Sequence, residues 1–254
     1  MKNENGIHRM TTDEYNLVKR SRWSRAKYIL ECPEVYMHKL KTEDNATRSK
    51  SLGSLVHAMV LEPETVEDEF FRATKVDRRT KAGKAAWAEQ QEAAKGKALI
   101  EAAVYDQGLD LSALLMKEMN RLLPGWRDGQ KELSVLSSMY RVPAKCRIDL
   151  FHDGKIWDIK TTKSLRQRSF VGACDRYAYY GQMATYRKML SNYEKGVEIG
   201  GLIVVQTVGA PMVKVLPFSP EAKRYGTEQA QKVWSTLEKC KAESQWPGYD
   251  YSEL

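Results

Sequence analysis

Residues 147–162, RIDLFHDGKIWDIKTT, constrain the fold more than any other stretch of the chain. They predict two β-strands joined by the turn HDGK, because apolar residues flank an Asp-Gly pair on both sides. Asp149, Asp158 and Lys160 nevertheless lie inside these strands. Strand interiors are normally poor in Asp and Lys, and carboxylates are rarely buried without a partner. Three charges at these positions therefore indicate either that the strands are exposed or that the charges have a function.

Strand periodicity predicts where these charges point. Side chains alternate between the two faces of a strand, so Lys145, Arg147 and Asp149 are expected to share one face of the first strand. Asp158 and Lys160 are expected to share one face of the second, with the apolar side chains packed behind. From these residues alone, an exposed strand with an ordinary surface ion pair, worth ~0–1 kcal/mol, explains the pattern as well as a catalytic site does.

The rest of the chain predicts one mixed α/β domain over residues 1–254, with a central mixed sheet flanked by helices. Residues 1–10 are polar and are expected to form a loose tail. The run at 80–97 predicts an exposed helix, with low-complexity sequence as the alternative. Further helices are expected at 24–40 with a break at Pro33, at 50–62, 111–123, 175–190 and 220–242. Strands are expected at 131–138, 140–151, 155–161, 201–208 and 212–218.

Composition limits the kinds of binding partner and the cellular compartment that are expected for this chain. Lys and Arg number 41 against 33 Asp and Glu, a net charge of +8, which favours a polyanionic partner without proving one. No apolar run is long enough for a membrane span, and the N-terminal residues lack the apolar core of a signal peptide. The four scattered cysteines favour free thiols over disulfides. We therefore expect a cytoplasmic protein with no membrane partner.

A third acid extends the charged pattern to the preceding strand, where Glu132 follows Lys131. Three acids and one lysine on consecutive strands suit a hard divalent ion, since Mg²⁺ binds carboxylates, carbonyl oxygens and water. Such an ion activates water and neutralises charge in phosphodiester cleavage. A lysine beside it can orient or deprotonate the attacking water.

The order acid, Asp, Asp-x-Lys resembles the PD-(D/E)xK nuclease superfamily, here as Glu132, Asp149 and Asp158-Ile159-Lys160. GSLVH, which ends in His57, and the pair Gln182 and Tyr186 in YYGQMATY resemble motifs of its RecB-like branch. The segments SLGSLVHAMVLEPE, KCRID, WDIKTT and WPGY resemble the exonuclease VIII (RecE) type of nuclease domain and its phage relatives. The resemblance runs from about residue 24 to residue 249.

This resemblance implies a restriction-endonuclease-like core and a role for each matched residue. Lys160 would act on the nucleophilic water. Gln182 and Tyr186 would position the scissile strand or the lysine, although they could merely pack, as could His57. The implied ligands of Mg²⁺, or of Mn²⁺ as the alternative, are His57, Glu132, Asp149, Asp158 and the carbonyl of Ile159.

The resemblance also implies an activity and partners. It implies ATP-independent 5′-to-3′ digestion of linear double-stranded DNA, which leaves 3′ overhangs for recombination. It further implies a ring-shaped homo-oligomer, a tetramer, and a single-strand annealing recombinase as partner. A structure-specific endonuclease and a non-catalytic DNA-binding scaffold of the same fold stay open.

Two cofactors are not expected. RecB-like members with an iron–sulfur cluster carry an early cysteine and a tight C-terminal cysteine trio, and no such trio follows Gln182. The chain also lacks a GxxxxGK(S/T) phosphate-binding loop. We therefore expect neither an iron–sulfur cluster nor ATP.

The densest basic stretch before the catalytic strands spans residues 19–27. We expect Arg22, Ser24 and Arg25 to meet backbone phosphates or a 5′-terminal phosphate, with Trp23 stacked on the terminal base. A solvated helix face is the equally open alternative. Lys145 and Arg147 are also expected among the DNA-binding residues. Lys145 would be solvated or would face phosphate, and Arg147 would lie in the site near the second acid, with pairing to Asp149 as the equally open alternative.

Overall fold

The computed structural model describes residues 4–42 and 48–250. The strands are β1 (Gly6–His8), β2 (Phe70–Ala73), β3 (Ala98–Glu101), β4 (Gln130–Met139), β5 (Val142–His152), β6 (Lys155–Thr162), β7 (Glu198–Gln206) and β8 (Val213–Pro217). The helices are α1 (Thr12–Leu17), α2 (Trp23–Ala26), α3 (Pro33–Lys41), α4 (Arg48–Leu61), α5 (Val66–Glu69), α6 (Lys81–Ala93), α7 (Ala102–Leu122), α8 (Gln167–Tyr177), α9 (Tyr179–Leu190) and α10 (Pro220–Glu243). Short 3₁₀ turns lie at Lys27–Leu30, Pro63–Thr65 and Trp126–Asp128.

A six-stranded mixed sheet in the order β1-β4-β5-β6-β7-β8 organises the molecule. Only β6 and β7 pair in parallel within it. Parallel neighbours need a long crossover connection, which α8 and α9 supply here. A separate two-stranded parallel sheet joins β2 and β3. The expected α/β class with a central mixed sheet flanked by helices is confirmed.

Apolar clusters cover both faces of the sheet, rather than one face behind the charges. On β6 the expected alternation holds, because Ile156 packs in one cluster whereas Trp157 and Ile159 pack in the other. On β5 it slips, since Ile148 and Leu150 belong to different clusters. The slip falls at Asp149, so this acid lies at an irregular point of its strand.

Several expected elements are confirmed. The helical segment at 24–40 is divided at Pro33, which begins α3. Helix α6 begins after Thr80, whose hydroxyl accepts a hydrogen bond from the Gly83 amide as an N-terminal cap. The strands at 131–138, 140–151, 155–161, 201–208 and 212–218 correspond to β4 through β8, with ends that differ by a few residues.

Other expectations were wrong. Residues 6–8 are not a loose tail, because β1 pairs with β4 along the sheet edge. The helix expected at 175–190 is two helices, divided at Ala178, whose φ of +52° is left-handed. Helix α7 begins at Ala102, nine residues before the expected start. Strands β2 and β3 and helix α1 were not expected at all. That residues 1–254 form a single domain stays a prediction.

Candidate active site

The charged residues come together because three adjacent strands and one helix meet at one end of the sheet. Glu132 on β4 and Asp149 on β5 lie opposite each other, between the pairs Lys131–Leu150 and Leu133–Ile148. Glu132 has a φ of +50°, a left-handed conformation that costs energy in a non-glycine residue and is found disproportionately at functional sites.

Helix α4 brings His57 between these two acids. Its Nδ1 lies 3.2 Å from Glu132 Oε1 and its Nε2 lies 3.0 Å from Asp149 Oδ2. Gly53, four residues earlier, permits this approach, since a Cβ there would lie 3.1 Å from the Thr161 hydroxyl on β6. The G-x-x-x-H spacing therefore has a steric reason.

Strand β6 adds the Asp-x-Lys pair. Lys160 Nζ forms an ion pair with Asp158 Oδ2, and Gln182 Nε2 on α9 donates to Asp158 Oδ1 at 2.6 Å. The Ile159 amide donates to Asp149 Oδ2 at 2.7 Å. The backbone of β6 thus ties Asp149 to the segment that carries Asp158 and Lys160.

Arg147 lies inside the site, where its guanidinium pairs with two glutamates and does not pair with Asp149. Its guanidinium forms an ion pair with Glu132 and contacts both Glu62 carboxylate oxygens at 2.9 and 3.0 Å. It also donates to the Thr12 hydroxyl at 3.0 Å. Of the two expectations for Arg147, the place in the site near the second acid agrees with this arrangement, and the pairing with Asp149 was wrong; its contact with DNA stays a prediction. Glu62 was not expected in the site, although it lies in the VLEP stretch after GSLVH, which was part of the resemblance.

Burial and mutual charge shift the protonation of the cluster. Burial alone would lower the pKa of His57, but Asp149 and Glu132 raise it to about 9. Burial raises the pKa of Glu132 to about 7, against the opposing effect of the His57 cation. Asp149 keeps a pKa below its usual value because His57 outweighs the effect of burial.

The β6 pair is shifted in the same way. Burial and the neighbouring charge of Asp149 raise the pKa of Asp158 to about 6. Burial would lower the pKa of Lys160, but Asp158 and Asp149 hold it above its usual range. Several strongly shifted pKa values within one cleft are typical of functional sites.

The donors fit a divalent metal ion. Ligand atoms of His57, Glu132 and Asp149 all lie within 4.8 Å of one another. Among the described residues, the buried atoms Glu132 Oε1 and Asp158 Oδ2 take part in no hydrogen bond, although each lies in an ion pair. The two carboxylates suit a hard ion such as Mg²⁺ or Mn²⁺. Asp158 and the Ile159 carbonyl as further ligands stay predictions.

The cluster opens into a cleft of about 850 Å³, which Thr12, His57, Glu132, Ile159 and Lys160 help to line. A second pocket of about 830 Å³ adjoins it, since Asn16 lines both. Among the described residues that line this second pocket there is no acid, and six are cations: Lys19, Arg20, Arg22, Arg25, Lys145 and Lys241. We call it the basic pocket.

The basic stretch at 19–27 meets these cavities only in part. Arg22 and Arg25 line the basic pocket, whereas Ser24 is exposed and is not among its lining residues. Trp23 is 2% exposed and its Nε1 donates to the Ala178 carbonyl. The expected stacking of Trp23 on a DNA base was therefore wrong.

Lys145 was expected to be solvated or to face phosphate, but it is buried with 4% exposure. Its Nζ donates to the Tyr15 carbonyl at 2.5 Å and lies 4.4 Å from the Tyr15 ring centroid. Tyr186, like Lys145, faces inward, where it packs against the larger apolar cluster. Its role in positioning DNA stays a prediction.

Acid, Asp and Asp-x-Lys on three neighbouring strands, beside a helical histidine, are the features of a PD-(D/E)xK-type core. A family model described as "PDDEXK-like domain of unknown function (DUF3799)" matches residues 23–253, so the chain belongs to that family. No curated protein matches the chain.

A solved structure from Eubacterium rectale, named "Putative exonuclease", has a similar fold. The TM-score is 0.67 at 14% sequence identity, over 94% of this chain and 88% of the other. Family and fold support a nuclease. Among the described residues, no helix is both long and apolar enough to cross a membrane.

Proposed function

We propose that this protein is a Mg²⁺-dependent, ATP-independent exodeoxyribonuclease that digests linear double-stranded DNA from 5′ ends. The products would be 3′ overhangs for recombination. The observation that carries the proposal is the site itself: His57, Glu132 and Asp149 converge beside the Asp158–Lys160 pair and open into a cleft that adjoins the basic pocket.

Each residue has a task that follows from its contacts. Glu132, Asp149 and His57 would hold the metal, and Asp158 would complete the ligand set. Gln182 fixes one oxygen of Asp158 and so aims the other toward Lys160. Bound Mg²⁺ would supply charge neutralisation at the scissile phosphate and lower the pKa of an attacking water.

Lys160 would orient that water and stabilise the charge that develops on the phosphate. Its ammonium pairs with Asp158, and it lines the cleft together with His57 and Glu132. Arg147 holds Glu132 and Glu62, and in this way it fixes one proposed ligand. These roles make the cluster a unit for phosphodiester hydrolysis.

The basic pocket supports action at a DNA end. Five cations besides the buried Lys145, and no acid among the described lining residues, favour an anion with several charges, and a terminal phosphate is such a group. We propose that Arg22 and Arg25 bind it. The ring-shaped tetramer and the annealing recombinase belong to the same proposal and rest on the RecE resemblance alone.

The test compares two DNA forms in Mg²⁺. A 5′-labelled linear duplex and its covalently closed circle are incubated with the wild type and with Lys160→Met. We expect the wild type to degrade only the linear form, with release of the 5′ label first, and the variant to bind DNA without cutting it.

Two results would redirect the proposal. Opening of the closed circle would favour an endonuclease of the same fold, and binding of both forms without cleavage would favour a non-catalytic scaffold. Lys163→Met is the matched control, because Lys163 lines the same cleft but lies outside the Asp-x-Lys motif. It should retain most of the activity.

A further inference from the structure

Two tyrosine rings stand at the rim of the cleft and have no part in the proposed chemistry. Tyr177 and Tyr179 both line the cleft with Lys160. Their ring centroids lie 5.6 Å apart with an interplanar angle of 26°, a stacked pair. Lys160 Nζ lies 5.0 Å from the Tyr179 ring centroid. The inner ring therefore contacts the proposed catalytic lysine, and the outer ring extends the stack away from it.

A kink at Ala178, between helices α8 and α9, brings the two rings together. Residues two apart in a continuous helix do not face each other, but Ala178 between them has a φ of +52° and a ψ of 47° and ends α8. Ala178 is buried, and its carbonyl accepts a hydrogen bond from Trp23 Nε1 at 3.0 Å. A left-handed alanine persists only where its surroundings impose it. The buried Trp23 thus holds the backbone that brings the two rings together.

The outer ring is open to a ligand. Tyr177 is 45% exposed, an apolar surface beside a highly charged site. The Lys27 ammonium lies over this ring, 5.4 Å from its centroid, and its flexible side chain lets a stacking base displace it toward the phosphate of that nucleotide. An aromatic plane with a nearby cation is the arrangement that binds single-stranded nucleic acid, through base stacking and phosphate contact.

We propose that Tyr177, supported from behind by Tyr179, is a stacking subsite for an unpaired nucleobase next to the scissile phosphate. The inference rests on the proposed nuclease function and deepens it by naming a substrate feature. In an intact duplex each base is already stacked and paired, so a base can reach Tyr177 only from a frayed or single-stranded end. The subsite therefore selects a nucleotide that has separated from its complementary strand.

The test removes the base and the ring in turn. DNA ends carry an abasic residue at one of the first four positions of the strand that is cut, and binding is measured with Ca²⁺ in place of Mg²⁺. At one position we expect the wild type to lose roughly 5- to 100-fold in affinity when the base is missing. Tyr177→Phe should keep this loss, whereas Tyr177→Leu should bind the abasic and the normal end alike.

Tyr140→Leu is the matched control, because Tyr140 is 48% exposed and lies in the turn after β4, at the other end of that strand from Glu132. It should discriminate as the wild type does. A wild type that is indifferent to the abasic residue at all four positions would overturn the subsite, as would a Tyr177→Leu variant that still discriminates.

Cleavage of the same DNAs in Mg²⁺ separates the two proposals. Cutting by the wild type without discrimination would overturn the subsite and leave the nuclease standing. Discrimination without cutting would overturn the nuclease and leave a base-binding site. Absence of both would overturn both.

Discussion

His57 lies between two acids, at the place where a divalent cation would bind. As a cation it balances Glu132 and Asp149, which explains why its pKa rises to about 9. A histidine that ligates metal must be neutral, so metal binding should release its proton. The same residue can therefore neutralise the cluster in one state and bind metal in the other.

Replacement of His57 with alanine tests its role as a ligand. We expect the metal concentration for half-maximal cleavage to rise about 10- to 100-fold, as when groups around metal sites are lost. The midpoint of thermal unfolding should change far less. His8→Ala is the control, since His8 lies on the edge strand β1 and its Nε2 contacts only the Glu4 carbonyl among the side-chain hydrogen bonds described for it. A large drop in thermal stability with an unchanged metal requirement would assign His57 to packing.

Lys145 is a buried cation whose effect on stability should depend on pH. Burial, with the nearby charge of Arg22, lowers the pKa of Lys145 from 10.5 to about 8. Between these two values the unfolded chain holds a proton that the folded chain has lost, so stability rises with pH in that window. Below pH 8 the buried charge opposes folding.

We therefore expect the wild type to gain stability relative to Lys145→Met between pH 7.5 and pH 9.5, by on the order of 1–2 kcal/mol. Urea unfolding of both proteins at the two pH values gives this difference. The contribution of His57, which falls as pH rises through about 9, is common to both proteins and cancels. A difference that does not change with pH would contradict the lowered pKa.

The positions of the proposed catalytic residues could be predicted from sequence patterns, whereas the positions of nearby residues such as Lys145 and Trp23 could not. Asp149, Asp158 and Lys160 could be placed together because the HDGK turn pairs their strands and periodicity puts Asp158 and Lys160 on one face of β6, whereas the irregularity of β5 at Asp149 had no signal. The burial of Lys145 could not be predicted, since it depends on Tyr15, whose short helix α1 carries no strong periodic signal. Trp23 was misplaced for a similar reason: its partner is a carbonyl 155 residues later in the chain.

Among the elements, the long periodic segments were predictable and the irregular junctions were not. Strands β4 to β8 and helix α10 follow clear patterns of apolar residues. The division between α8 and α9 at Ala178 has no signal, because alanine normally continues a helix. Strands β2 and β3, of four residues each, are too short for periodicity to identify.

Glycine at position 181 allows α9 to pack against Trp23. A Cβ there would lie 2.4 Å from the indole ring. Helix propensity alone predicts that Gly181→Ala stabilises the protein by ~1 kcal/mol, whereas overpacking predicts a loss of ~1–3 kcal/mol. We expect the loss, measured as the free energy of unfolding in urea.

Gly172→Ala is the matched control for this substitution. Gly172 lies inside α8, and a Cβ there meets no described atom within 4 Å apart from its chain neighbours and the backbone of its own helix. This variant should gain up to ~1 kcal/mol from helix propensity. If both variants shift stability in the same direction, the contact between Gly181 and Trp23 does not limit the packing.

For the molecule as a whole, the effect of the surplus positive charge on DNA binding depends on where the cations lie. The basic pocket gathers six cations next to the cleft. Phosphate contacts release counterions, so each lost contact should shallow the slope of log affinity against log salt by roughly 0.9 for duplex DNA.

Arg22→Ala and Arg25→Ala should each show this change when binding to a linear duplex is measured in Ca²⁺ from 50 to about 200 mM salt. The variant that loses a contact to the terminal phosphate should also lose any preference for 5′-phosphate over 5′-hydroxyl ends. Lys214→Ala, on the edge strand β8 at the opposite side of the sheet, is the control. If the slopes are unchanged in both arginine variants, the basic pocket does not contact DNA.

The pairing of β1 with β4 has a consequence for synthesis on the ribosome. His8 pairs with Ser134, so the first strand must wait for 126 more residues before its partner exists. At about 5–20 residues per second, that delay lasts roughly 6 to 25 s. During this time residues 6–8 have no strand to join, so their unpaired backbone groups are available to a strand of another chain. The risk that this segment mispairs therefore ends only when the strand that carries Glu132 has left the ribosome.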